Sequence, residues 1–182
     1  MTTYISMLRG INVSGHKKIL MADLKALYEN LNFQNVSTYI QSGNVIFHSD
    51  ENLSDQQFAE KIRSQIFNQY GFEVPVLIRT LSQLQNTLSS NPFLKQEGID
   101  LEKLHVTFLS EKPNPANLTG IQSNIYLPDE FIISEQEIFL HCPINYGETK
   151  LSNKFFESKL KVLATTRNWK TVNKLVEIAL GQ

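Results

Sequence analysis

Two short stretches near the amino end concentrate side chains suited to holding an anion. Arg9, Asn12 and Lys17 stand in the first, with Lys18 beside them, and Gln41, Ser42 and Asn44 stand in the second. A guanidinium grips an oxyanion through two parallel N–H bonds, a lysine adds a point charge, and amides and hydroxyls supply oriented hydrogen bonds. Such a set fits a small anionic ligand, for instance one bearing phosphate. The same residues also have a framework reading. Gly10 and Gly15 can supply positive backbone torsions, Asn12 and Asn44 can satisfy turn amides, and Lys17 and Lys18 can be solvated charges. Arg9 stands apart, because an arginine at the exit of a central strand needs a carboxylate, a carbonyl or a bound anion.

A third polar stretch, Thr165-Thr166-Arg167-Asn168-Trp169-Lys170-Thr171, precedes the last helix. Asn168 with Thr171 in the first turn can cap that helix, and Trp169 offers a large apolar anchor. Arg167 can pair with a carboxylate, stack on a ring, or bind an anion at the helix start.

Groups for acid–base or nucleophilic work are sparse. His16, His48, His105 and His141 are scattered without an HExxH pair or Cys/His spacing, so no metal site is expected. Cys142 precedes Pro143 and reads as a packed thiol, and Ser42 lacks the GxSxG elbow of a serine nucleophile. The stretch Tyr146-Gly147-Glu148-Thr149-Lys150-Leu151-Ser152 lacks the glycine spacing of a phosphate loop, and the three-glycine dinucleotide fingerprint is missing, so no cofactor is expected. His16, on the basic loop, is the nearest candidate for an acid or base.

The elements that must position these groups follow from periodicity. Residues 3–8 read as a strand, and Leu20, Leu24, Leu27, Tyr28 and Leu31 recur at helical spacing. Residues 36–40 and 45–47 read as strands joined through Ser42-Gly43. Ser54 and Gln57 have capping-box spacing ahead of a helical face of Phe58, Ile62, Ile66 and Tyr70, which Gly71 ends. Residues 74–79 make a further strand, with Pro75 pointing to a sheet edge. This order is a ferredoxin-like βαββαβ unit. In it the loop after the first strand and the hairpin after the second emerge on one rim, so Arg9, Gly10 and Asn12 should meet residues 41–44.

The second half reads as less regular. Thr80 and Gln83 can cap a helix that Asn91-Pro92 stops, residues 104–109 form a strand, and residues 111–122 form a loop or short helix. Residues 131–134 and 138–141 look like a hairpin, and two helices close the chain, the first starting near Thr149. The expected fold class is α+β, with a ferredoxin-like unit over residues 1–79 and a smaller, less regular α+β unit over residues 80–182. A degenerate duplication fits these proportions, although no residue-level repeat appears.

Composition bounds the partners. The chain has 182 residues, 18 acidic against 17 basic side chains, and a single cysteine. A net charge of −1 and a pI near 6.4 remove the footprint of a general nucleic-acid binder. No stretch reaches the ~20 apolar residues of a bilayer span, and with one free cysteine the chain is placed in the cytoplasm, with no membrane partner expected.

The segments Leu8-Arg9-Gly10-Ile11-Asn12-Val13, Thr38-Tyr39-Ile40-Gln41-Ser42-Gly43-Asn44-Val45 and Thr165-Thr166-Arg167-Asn168-Trp169 together resemble the bacterial family known as domain of unknown function 1697. The sequence departs from that pattern at Ser14, where glycine is expected, and at Lys170, where asparagine is expected. The resemblance implies a compact cytoplasmic α+β protein and assigns no activity. The motif residues Arg9, Asn12, Gln41, Ser42, Asn44, Arg167 and Asn168 coincide with the polar positions reached through topology. The leading expectation is a small-molecule-binding protein whose rim, formed by residues 9–18 and 41–44, accepts an anion. The alternatives are an enzyme that orients its substrate there, a nucleic-acid module, or a purely structural or oligomeric role.

Overall fold

The computed structural model describes residues 1–121 and 123–182 and divides into two compact units, Met1–Gln85 with Leu175–Gln182, and Asn86–Lys174. The loop read over residues 111–122 ends on Gln122, which lies outside the described residues.

The first unit runs β1 (Thr2–Leu8), α1 (Met21–Asn30), β2 (Gln34–Tyr39), β3 (Asn44–Ser49), α2 (Asp55–Tyr70) and β4 (Val76–Thr80), and α3 (Leu81–Ser90) begins in it. Its sheet has the order β2-β3-β1-β4, and every neighbouring pair is antiparallel. The strand carrying Pro75 at its entry is an edge strand, as its missing N–H requires. One face of the sheet packs on α1 and α2 around an aromatic cluster of Tyr4, Tyr28, Phe33, Phe47 and Phe58. The buried Tyr28 hydroxyl is satisfied there, because it lies 2.6 Å from Ser6 Oγ. Local chemistry sets the boundaries of α2. Ser54 Oγ accepts the Gln57 N–H at 3.2 Å, Gln57 Oε1 accepts the Ser54 N–H at 2.9 Å, and Gly71 closes the helix at φ 75°.

The second unit runs β5 (Leu104–Leu109), α4 (Pro115–Leu118), β6 (Glu130–Ser134), β7 (Glu137–His141), α5 (Asn153–Leu160) and β8 (Ala164–Asn168), with α6 (Trp169–Leu180) beginning in it. Its order, β6-β7-β5-β8, repeats that of the first sheet. The strand order is therefore the same in both halves, while α4 in the second is a single four-residue turn. Residues 164–168, which include the start of the polar stretch read only as preceding the last helix, form a strand paired with β5, and the helix expected from Thr149 starts at Asn153 under a Ser152 cap. The run Ala-Thr-Thr-Arg-Asn lacks an apolar alternation, but Ala164, Thr165 and Arg167 are buried all the same. Trp169 is buried at the head of α6, as expected of an anchor.

The two units also repeat one device. Arg79 sits opposite Ile5 on β4 and Arg167 sits opposite Val106 on β8. Each donates from Nη1 to the carbonyl of the residue before it, at 2.9 Å and 3.0 Å, and each precedes a helix cap. Thr80 Oγ1 accepts the Gln83 N–H, and Asn168 Oδ1 accepts the Thr171 N–H.

The close approach of β1 to the β2–β3 hairpin rests on Gly43. It adopts φ +81°, and a Cβ there would lie 2.7 Å from Ile11 Cδ1 and 2.8 Å from Leu8 Cβ, whereas Gly15, at φ +78°, faces open space. Gly15→Ala should therefore cost only the left-handed torsion, about 1 kcal/mol. Gly43→Ala adds overpacking and should cost about 3 kcal/mol or more. Urea denaturation of both variants checks this, and equal midpoints would contradict the role given to Gly43.

Candidate functional site

The rim of the first unit is built from three backbone segments. β1 and β3 pair with Met7 opposite Asn44, so the chain leaving β1 runs directly against the hairpin. The Leu8 N–H donates to the Gly43 carbonyl at 2.8 Å, and the Arg9 N–H donates to the Pro75 carbonyl at 3.0 Å. The expected meeting of residues 9–12 with residues 41–44 is thus observed. The segment leading into β4 joins it, a neighbour that spacing did not reveal.

Beyond Arg9 the chain makes a small flap. The Asn12 N–H donates to the Lys17 carbonyl, the His16 N–H donates to the Val13 carbonyl, and Ser14 and Gly15 at the tip both have positive φ. Two positive torsions at the tip form the turn whose twist suits a two-stranded ribbon. Residues 13–18 are exposed. The Asn12 side chain ties this flap down. Its Nδ2 donates to the Ile19 carbonyl at 2.9 Å and to the Gln41 carbonyl at 3.0 Å, while its Oδ1 accepts the Ile19 N–H at 2.9 Å. Lys17 Nζ donates to the Glu73 carbonyl at 2.5 Å. In the hairpin, buried Asn44 donates from Nδ2 to the Tyr39 carbonyl at 3.1 Å and to Ser42 Oγ at 3.0 Å.

These bonds sort the expected site residues. Asn12 and Asn44 are spent on backbone carbonyls, the framework use foreseen for turn asparagines, and Ser42 is engaged by Asn44. Arg9 is half-buried at the strand exit, and Gln41, Lys17 and Lys18 are exposed around it. Arg167 and Asn168 belong to the second unit, where they form the arginine-and-cap device already described. Burial lowers the Arg167 pKa to about 10, which leaves the guanidinium charged at neutral pH.

The second unit holds a polar network that periodicity did not expose. The His105 ring stacks on Tyr146 with centroids 4.5 Å apart. Thr107 Oγ1 lies 2.7 Å from Thr166 Oγ1, which donates to Asn153 Oδ1 at 2.7 Å and also bonds the Tyr146 hydroxyl. Burial raises the Tyr146 pKa, and the Thr166 bond opposes it. Beside them, Thr149 donates to Asp129 at 2.5 Å. Burial, with the Asp129 charge adding to it, pushes the Cys142 thiol up to about 11, consistent with a packed, unreactive group. The one sequence signal of this network is the alternation of His105 and Thr107 with apolar neighbours along β5. Among the described residues, no group of three or more His, Cys, Asp or Glu side chains is placed to hold a metal ion, and no helix is long and apolar enough to cross a membrane.

The sequence profile of the family described as "Protein of unknown function (DUF1697)" matches residues 1–139. The first two motifs lie inside that stretch, and the third, at Thr165 to Trp169, lies beyond it. A solved structure of a conserved bacterial protein from Streptococcus pneumoniae is similar, at 26% identity and a TM-score of 0.76 over 98% of each chain. No curated protein matches the chain.

The network in the second unit makes stability depend on pH. Burial lowers the His105 pKa below its ordinary 6.5, with a smaller opposing pull from the Lys103 carbonyl, and its buried Nδ1 makes no hydrogen bond. The unfolded chain then binds the proton more readily than the native one, so this contribution is fully present above pH 6.5 and is lost progressively as the pH falls from there through the lowered native pKa. His105→Phe keeps an aromatic ring for Tyr146 and removes the proton. Between pH 7.5 and pH 5 its denaturation midpoint should fall less than that of the wild type, and parallel curves would contradict the assignment.

Proposed function

We propose, for a chain that belongs to the DUF1697 family of proteins of unknown function, that it binds a small anionic molecule on the rim of its first unit. The observation that carries this reading is the convergence of half-buried Arg9, the Lys17-Lys18 flap and the 41–44 hairpin, held together by the Asn12 carboxamide. A flap fixed by several hydrogen bonds keeps its cations in place before a ligand arrives, which lowers the ordering cost of binding.

Two further features support the reading. α1 starts at Met21 behind Leu20, which offers no side-chain cap, so the amides of its first turn are left to other partners. Helix starts of this kind favour negative charge, and Asp23 in the first turn takes up part of that field. Lys17 anchors one of its three donors on Glu73 and keeps its charge on the rim.

The roles of the two cations differ. Arg9, where the strand leaves the core, grips an oxyanion in parallel bonds, whereas Lys17 acts as a screened point charge. Arg9→Ala should abolish the thermal stabilisation produced by phosphate, and Lys17→Ala should weaken the response more modestly. Melts of both variants with and without phosphate check this order. A wild type that shows no anion-dependent shift, or an Arg9→Ala variant already strongly destabilised without ligand, would overturn the reading in favour of framework use.

A further inference from the structure

Three large aliphatic side chains are exposed around the Asn12 clamp. Val13 follows Asn12 and is 59% exposed, Leu20 follows Ile19 and is 70% exposed, and Ile40 precedes Gln41 and is 48% exposed. Asn12 bonds directly to the Ile19 backbone and to the Gln41 carbonyl, so the chain positions that carry these three side chains are immediate sequence neighbours of groups joined at one clamp. Single exposed aliphatics are ordinary on a protein surface, but a group of them bordered by cations is not. Ile40 adds a second sign, since a β-branched residue at φ +53° sits in a region such side chains avoid. The backbone tolerates that torsion in a hairpin fixed by Asn44.

From this we infer that the rim's ligand is an amphiphilic anion: an oxyanionic head held by Arg9 and the flap lysines, and an apolar arm lying over Val13, Leu20 and Ile40. The inference rests on the anion reading above and specifies the ligand class for the same site. An inorganic ion would leave the three aliphatics facing water. A nucleic acid fits less well, because base recognition on an exposed surface uses aromatic platforms and no exposed Phe, Tyr or Trp stands among residues 9–20 and 39–44. The cations supply the charge complementarity, on a chain whose overall balance is slightly negative.

The test compares inorganic phosphate with butyl and octyl phosphate below its micelle-forming concentration, read by calorimetry on the wild type, on Arg9→Ala, and on a Val13→Ser/Leu20→Gln double variant. Burying methylene groups strengthens binding several-fold per group when fully covered. With partial cover, octyl phosphate should bind at least about tenfold tighter than inorganic phosphate. The double variant should keep the phosphate response and lose the dependence on chain length, and Arg9→Ala should lose both. Equal binding of all three ligands would overturn the apolar arm and leave the anion reading standing. No binding by any of them would overturn both. Binding to phosphatidylglycerol vesicles that needs Leu20, without binding of monomeric octyl phosphate, would assign the patch to a membrane surface and overturn the small-molecule ligand.

Discussion

The carboxamide of Asn12 is the interaction on which the rim depends. Its three hydrogen bonds join the flap, the entry to α1 and the β2–β3 hairpin. Each is worth only about 1 kcal/mol in isolation, but together they fix the positions of segments that strand pairing alone leaves free. Without them the flap would keep its own backbone bonds and the Lys17 bond to Glu73, but would lose its ties to the entry of α1 and to the hairpin. Asn12 suits the task because it tolerates the left-handed torsion it adopts, φ 56°, while presenting a donor and an acceptor.

The same topology occurs twice in the chain, which separates framework from function. Both units place a buried arginine and a helix cap at the end of their last strand, and both satisfy them in the same way. Arg167 and Asn168 are therefore explained by the architecture. The units differ in the connections that carry the candidate site. Residues 9–20 link β1 to α1 through the flap, while only residues 110–114 link β5 to α4. The hairpin of the first unit takes residues 40–43, and that of the second turns at Glu135 and Gln136. Such loop variation on a rigid scaffold is where binding usually resides. The second unit instead places polar residues in a packed network around Tyr146, which accounts for buried Thr107 and for a neutral histidine.

Much of this was legible in the sequence where local chemistry decides the outcome. Ser54 with Gln57, Gly71, Pro75 and Ser42-Gly43 each act within a few residues, and each behaves as its type requires. The rim followed from connectivity, since a βαββαβ order leaves one arrangement in which the first and second strands share an end. β8 was hidden because its stability comes from pairing with β5 and from the Thr107–Thr166 bond, neither of which is encoded within residues 164–168. Tertiary pairing overrode a polar local pattern there. At the site, spacing could not show that Asn12 reaches both Ile19 and Gln41, nor that Ile40 would take a positive torsion. Both depend on contacts between segments far apart in the chain.

The central claim is that the flap and hairpin of the first unit form a pre-arranged anion site. An amide-resolved NMR titration of the isotope-labelled full chain with inorganic phosphate tests it most directly. Saturable shifts confined to residues 9–18, 40–44 and the neighbouring 73–75 segment, all responding in step, are the outcome the account requires. Shifts that do not saturate, or that concentrate in the second unit while residues 9–18 stay unchanged, would contradict it.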